Sequence, residues 1–235
     1  MRNIIIRILL NLFLTYFIKF KQLSTHTVYI IMIVPLDNQT TRVPTVLPKI
    51  PFSSYIVASK KSGKTTLLLN LLRQEEYLKA KFNRIFWVSP TSSFDQKVMD
   101  LKDVDGLCSK NLELEKLEKR LKKTKKIMEE VKIKKNNDTL VFMEELELDF
   151  LLHMMDEQKK IITTYGKKYA DDILLILDDS IEAKILKHKK FKDFLFKSRH
   201  YKISVIFISQ SYFSLPKALR LNNRQVILFE TGNLK

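Results

Sequence analysis

The eight residues Ala58-Ser59-Lys60-Lys61-Ser62-Gly63-Lys64-Thr65 have the types and spacing to hold a phosphate chain. They match G-x-x-x-x-G-K-[ST] at every fixed position but the first, where Ala stands for Gly. Chemistry of this kind needs consecutive backbone N–H groups curled around the anion, with a helix N-terminus adding its partial positive charge. Gly63 lets the backbone approach closely, Lys64 reaches the β- and γ-phosphates, and Thr65 offers a hydroxyl to magnesium. Thr66 continues the first helical turn beside them. Ala58 adds only a methyl group, which is tolerable if its φ is negative.

A second constellation lies far along the chain. Ile173-Leu174-Leu175-Ile176-Leu177 is a continuous apolar run that carries Asp178 and Asp179 out at its end. In open α/β sheets, ligands bind at the carboxyl ends of the strands. One acid there can hold magnesium and a second can orient or deprotonate the attacking water. We assign Asp178 to the metal, with Thr65, and Asp179 to the water. Asp-Asp-Ser before Ile181–Leu186 would also cap a helix, and the two roles are compatible. The run Ile203–Ser209 likewise ends in a polar amide, Gln210, placed to sense the γ-phosphate or its water. Arg199 reads as lying near the edge of the nucleotide face. It and Arg220 are the arginines that could reach a neighbouring subunit's γ-phosphate, where charge builds in the transition state.

These residues require a scaffold, and the chain supplies its pattern. Short apolar runs at Tyr55–Ala58, Arg84–Val88, Ile173–Leu177, Ile203–Ser209 and Val226–Phe229 read as strands buried on both faces. That pattern implies a parallel sheet with helices on either side. The expected class is α/β, a three-layer fold of the P-loop NTPase kind with a mainly parallel central sheet. Lys64–Leu72 reads as the helix after the phosphate loop. Residues 110–168 read as a helical insertion: 11 Lys or Arg and 5 acids fall between Lys110 and Lys135. Leu114, Leu117, Leu121, Met128 and Val131 form an amphipathic stripe there. After the break Asn136–Asp138, Glu144–Ile162 reads as a second helix.

Four of the six prolines fall within Pro35–Pro51, so residues 32–50 read as an extended lead-in to an ATPase domain at 51–235. Ile4–Ile18 is apolar apart from Arg7, Asn11 and Thr15. It is short for a membrane span and carries a charge within the run. Residues 1–31 are therefore read as an extension outside the mature domain, with translation from Met32 as one origin for it, in preference to a membrane anchor.

The 235 residues carry a formal net charge of +16. Such an excess suits a polyanionic partner, nucleic acid or an anionic surface; a Lys-rich, Gly-poor composition explains it equally well. The single cysteine, Cys108, excludes an internal disulfide framework, and the four scattered histidines offer no metal-ligand spacing. A reducing, intracellular compartment fits this usage.

The order of these blocks resembles the DNA-packaging ATPases of poxviruses and giant viruses, within the FtsK–HerA superfamily of DNA pumps. After the phosphate loop come Arg-Ile-Phe-Trp-Val-Ser-Pro and Leu-Leu-Ile-Leu-Asp-Asp-Ser. Ser-Arg-His-Tyr-Lys-Ile-Ser-Val-Ile-Phe-Ile-Ser-Gln and Leu-Arg-Leu-Asn-Asn-Arg-Gln follow. The resemblance covers roughly Pro51 to Glu230, and its last two blocks are the specific ones. It implies a RecA-like core, ATP and Mg2+, a homo-oligomeric ring, commonly a hexamer, and movement of double-stranded DNA into a capsid. Capsid or portal proteins would be partners, and the host cytoplasm or viral factory the setting. On that analogy Lys64, Thr65, Asp178, Asp179 and Gln210 match motif positions, and Arg199 follows them. Ala58, and an end at Lys235 soon after the last strand, depart from the family pattern. Two other readings are a P-loop kinase and a non-catalytic nucleotide-binding assembly module.

Overall fold

The computed structural model describes residues 15–19, 28–33, 47–90, 95–123, 139–179 and 183–229. Its frame is one sheet. Thr15–Lys19 (β1) and Val28–Ile33 (β2) precede Ser53–Val57 (β3), the helix Lys64–Arg73 (α1) and Arg84–Val88 (β4). The short helix Gln96–Met99 (α2) and the helix Leu112–Lys123 (α3) lead to Leu140–Met143 (β5). Next come Leu148–Tyr165 (α4) and Ile173–Asp178 (β6). The helices Ala183–Lys187 (α5) and Lys189–Lys197 (α6) lead to Ile203–Ser209 (β7). Lys217–Asn222 (α7) and Gln225–Phe229 (β8) complete the set.

The spatial order is β1-β2-β8-β3-β7-β6-β4-β5. The six strands from β8 to β5 are all parallel, and β2 joins β8 antiparallel, so the sheet is mainly parallel as the sequence implied. Strand β3, which feeds the phosphate loop, lies between β8 and β7 in the interior of the sheet. β1 and β2 pair antiparallel on the outer edge; β1 falls within residues 1–31, read as an extension, while β2 crosses into the segment read as the lead-in and ends at Ile33.

The apolar runs alternate between two cores, as strands buried on both faces must. Ile56, Leu174, Ile176, Ile206, Ile208 and Ile227 point to the face covered by α1, where Leu68 and Leu72 are fully buried. Tyr55, Leu175, Leu177, Val205, Phe207 and Val226 point to the other face, against Leu151 and Met154 of α4 and Phe191 and Phe194 of α6. Helix α1 carries a stripe for one side only: Leu67, Leu68, Leu69, Leu71 and Leu72 are buried while Thr66 and Arg73 face outward.

The N-terminal edge of the sheet is fastened by polar clamps. Arg84 Nε lies 3.0 Å from Asp171, and Lys202 Nζ lies 2.9 Å from Asp172 and donates to the Ala170 carbonyl.

The block 110–168 is not helical throughout. Leu140–Met143 is an edge strand, parallel to β4, between α3 and α4. Four half-buried apolar residues are too few to show a period of two, so sequence pattern absorbed them into the neighbouring helices. The second helix starts at Leu148, four residues later than expected, and runs on to Tyr165. Met128 and Val131 of the predicted stripe, and Asn136–Asp138, lie outside the described residues. No helix among the described residues is long and apolar enough to cross a membrane.

Candidate active site

The site follows from where β3, β6 and β7 stop. All three point the same way, so their exits meet at one edge of the sheet. At the end of β3 the Ala58 N–H donates to the Ser209 carbonyl at 3.0 Å, so the first loop residue remains laddered to β7. Ala58 is fully buried and is not among the residues with positive φ, which is why alanine is accommodated there.

The loop then folds on itself. Ser62 Oγ donates to the Ser59 carbonyl at 2.7 Å, with the Ser62 N–H on the same oxygen at 3.4 Å. Lys61 (φ 61°) and Gly63 (φ 92°) take left-handed backbone conformations, and nothing lies within 4 Å of where a Gly63 Cβ would stand. The open space suits close approach of a ligand to the backbone. Gly63 is the N-cap of α1 and brings no side-chain cap to it, so the dipole and first N–H groups of this ten-residue helix are left to an anion.

Across from this loop, Asp178 is the last residue of β6 and is buried. Burial pushes its carboxyl pKa up to about 6, against a lowering by the Lys64 charge and smaller raising effects from Asp179 and Asp95. Asp179 leaves the strand with φ 47° while its N–H still donates to the Ile208 carbonyl at 3.1 Å. Aspartate tolerates this left-handed turn better than a branched residue would. Lys64 Nζ donates to Asp179 Oδ2 at 2.6 Å, and Gln210 Nε2 donates to the same oxygen at 3.1 Å. Residues from three distant stretches therefore converge on one carboxylate.

These groups line a cleft of about 430 Å³: Lys60, Lys61, Lys64 and Thr65 together with Asp178, Asp179 and Gln210. Trp87, Ser89, Pro90, Asp95 and Val98 also line it, and the sequence reading did not assign them. The signal for Asp95 was available in Asp-Gln-Lys-Val, because its Oδ1 accepts from the Lys97 N–H and caps α2. Ser59, Ser62, Gly63 and Thr66 belong to the loop and first helical turn; Ser59 and Thr66 are exposed.

The cleft fits a nucleotide with magnesium on three counts: loop backbone open at Gly63, lysines in the lining, and a hydroxyl and a carboxylate at Thr65 and Asp178. Among the described residues no group of three or more His, Cys, Asp or Glu could hold a metal unaided. Magnesium suits such a place, since it takes one or two protein ligands and completes its shell with phosphate and water.

Arg199 is not brought to the cleft. It sits in the 3₁₀ turn before β7, so the length of that strand separates it from Gln210, about 20 Å at ~3.3 Å per residue. Strand polarity is the reason: residues before β7 emerge at the N-terminal edge, and the cleft opens at the C-terminal edge. There Arg199 donates to Asn222 Oδ1 at 3.2 Å; burial, then the Arg224 charge, lowers its pKa. Arg220 stacks over Tyr212 and Phe213, with its guanidinium carbon 4.7 and 4.9 Å from the ring centroids.

Comparison with known proteins bears on residues 140–229. Residues 140–229, from β5 to β8, match the family model described as Poxvirus A32 protein, which bears out the resemblance to packaging ATPases over those residues. No curated protein matches the chain. Among solved structures, the chain is similar to the N-terminal domain of zonular occludens toxin from Neisseria meningitidis, at 12% identity and a TM-score of 0.37. That match covers 79% of this chain and 80% of the other. It is also similar to EssC (ATPases 2 and 3) from Geobacillus thermodenitrificans, at 15% identity and a TM-score of 0.37, covering 76% of this chain and 32% of that one.

Proposed function

We propose that this chain, an ATPase that matches the poxvirus A32 family over residues 140–229, hydrolyses ATP in a ring of like subunits and uses the cycle to draw double-stranded DNA into a capsid. The observation that carries the reading is the meeting of Lys64, Asp179 and Gln210 on a single oxygen, Asp179 Oδ2, inside the cleft that the phosphate loop forms.

In this mechanism the loop from Ala58 to Thr65 cradles the phosphates with its N–H groups, and Lys64 leaves Asp179 for the β- and γ-phosphate oxygens. Thr65 and Asp178 would hold magnesium, which when bound neutralises charge on the transferred phosphoryl group. Asp179, released from Lys64, takes the proton of the attacking water, and Gln210 orients that water by its side-chain amide. Proton transfer of this kind contributes roughly 10²–10⁴-fold, which is the loss of turnover expected when Asp179 cannot accept the proton.

Arg199 acts across the subunit boundary. A group on the N-terminal edge of one sheet cannot serve its own cleft, but in a head-to-tail ring it can face the cleft of the next subunit. The net charge of +16 suits sequence-blind contact with DNA phosphates. The reading sets the ATPase domain at 51–235 and the place of action in the host cytoplasm or viral factory, with capsid or portal proteins as recruiting partners.

ATP hydrolysis measured with and without double-stranded DNA tests it. Turnover that DNA stimulates, that disappears in Lys64→Ala and that falls at least ~10²-fold in Asp179→Asn, is the expected result. Tight ATP binding without turnover would instead mark an assembly module, and turnover indifferent to DNA would favour a kinase-like enzyme.

A further inference from the structure

Tyr55 stands in the middle of β3, fully buried, three residues before the phosphate loop. Its ring packs edge-on to Phe207 at 6.5 Å and stacks with Tyr212 at 5.9 Å. A phenylalanine would fill this space with no polar atom to satisfy. A buried hydroxyl costs stability unless it finds partners, so its partners point to its use.

Those partners straddle Gln210. Tyr55 Oη lies 2.6 Å from Ser209 Oγ on one side, and on the other it donates to the Ser211 carbonyl, also at 2.6 Å. Ser214 Oγ lies 3.0 Å from Tyr55 Oη and 2.8 Å from the Ser211 carbonyl. Ser209 Oγ also lies 2.8 Å from the Ser211 carbonyl and 2.9 Å from Ser214 Oγ, so three hydroxyl protons are shared over the cluster. In one arrangement Tyr55 donates to the Ser211 carbonyl, Ser209 Oγ to Tyr55 Oη, and Ser214 Oγ to the second lone pair of that carbonyl. β7 ends at Ser209, so the ladder that fixes the strand stops where the side chain of Gln210 must be aimed. The hydroxyl cluster takes over there. The Ser209 carbonyl also accepts the Ala58 N–H, so one short stretch of backbone is tied both to Tyr55 and to the start of the phosphate loop.

We propose that Tyr55 is a positioning residue for Gln210: its hydroxyl holds the Ser209 side chain on one side of that residue and the Ser211 carbonyl on the other, so that the Gln210 amide stays on Asp179 and the attacking water. The proposal rests on the reading of Gln210 given above. Tyr55 touches no reacting atom. Removing its hydroxyl lowers the rate of the chemical step and leaves nucleotide binding alone, because the phosphate loop keeps its own contacts.

The test compares Tyr55→Phe, Ser214→Ala, Gln210→Ala and the double variant Tyr55→Phe/Gln210→Ala in DNA-stimulated ATP turnover. Amide hydrogen exchange over residues 209–214 is followed in each single variant. Tyr55→Phe is expected to lower kcat about tenfold, the worth of one hydrogen bond of ~1.4 kcal/mol, with KM within about twofold of native. Ser214→Ala lowers kcat less, and the double variant turns over no more slowly than Gln210→Ala alone. Exchange over 209–214 rises in Tyr55→Phe and is native elsewhere. Loss in Gln210→Ala with native turnover in Tyr55→Phe overturns the proposal and leaves the reading of Gln210 standing. Native turnover in Gln210→Ala overturns both. Unchanged exchange over 209–214 in Tyr55→Phe overturns the proposal whether or not the chain turns over ATP.

Discussion

Lys64 Nζ and Asp179 Oδ2 are 2.6 Å apart, and 115 residues of sequence separate the two partners. The cation that must meet the phosphates and the acid that must meet the water thus neutralise each other. Their side chains are 12% and 34% exposed, so the pair is partly shielded and worth more than a surface contact. Binding of a nucleotide has to exchange this ion pair for one with phosphate, which arms both groups in one step.

Asp179→Asn is therefore expected to bind ATP no more weakly than the native chain, and up to about fivefold more tightly, since ~1 kcal/mol of competing attraction is gone. Turnover falls by at least 10²-fold in the same variant. Lys64→Ala loses affinity and turnover together. Titration with a fluorescent ATP analogue, run beside a phosphate-release assay, separates the two patterns.

Asp178 makes the stability of the nucleotide-free protein depend on pH. Its folded-state pKa of about 6 exceeds the ordinary 3.8, so the folded chain binds more protons than the unfolded one between those values. Stability from this group grows as pH falls from above 6 towards 4, and at neutral pH its buried charge costs on the order of 3 kcal/mol. Asp178→Asn should then raise the Tm at pH 7.5 by several degrees, with the advantage shrinking towards pH 4. A Tm difference that does not vary with pH would count against the buried charge.

Gly63→Ala isolates backbone strain from crowding. A Cβ there would meet nothing within 4 Å, yet φ is 92°. The expected cost is about 1–2 kcal/mol, a fall of a few degrees in Tm, together with weakened ATP binding as the loop relaxes. Ala58→Gly is the converse case. Because Ala58 is laddered to Ser209 without a positive φ, glycine should leave ATP affinity within about twofold and slightly lower the Tm. Calorimetry and nucleotide titration on both variants check this pair.

Arg199 offers a complementation experiment. Arg199→Ala should bind ATP normally and turn it over slowly, and Lys64→Ala should turn over none. Mixed, they should recover activity, because a subunit with an intact cleft would then sit beside one with an intact arginine. If mixing recovers nothing at any ratio, the trans role is wrong. Salt dependence of DNA-stimulated turnover, measured on the native chain alongside, should be steep and insensitive to DNA sequence.

Much of this was legible in the residues before any geometry. Ser62-Gly63-Lys64-Thr65 after an apolar run specifies a phosphate loop because few other structures need that glycine and lysine together, and it stands between β3 and α1. Five apolar residues ending in Asp178 and Asp179 specify a buried strand that delivers acids to an edge, and β6 does so. Local chemistry determines such features, and the sequence carries local chemistry directly.

What the sequence could not determine are relations across the chain. Leu140–Met143 became a strand only because β4 offered an unpaired edge, and four residues carry no period of their own. Arg199 looked close to the nucleotide because it precedes Gln210 by few residues, but an extended strand converts those residues into about 20 Å. Asp95 came to line the cleft and Tyr55 entered the Gln210 turn through parallel strand order, which sets side by side segments that lie far apart in the chain. Pattern fixes which groups a strand presents; only the packing of the whole sheet decides which edge they reach and what they face there.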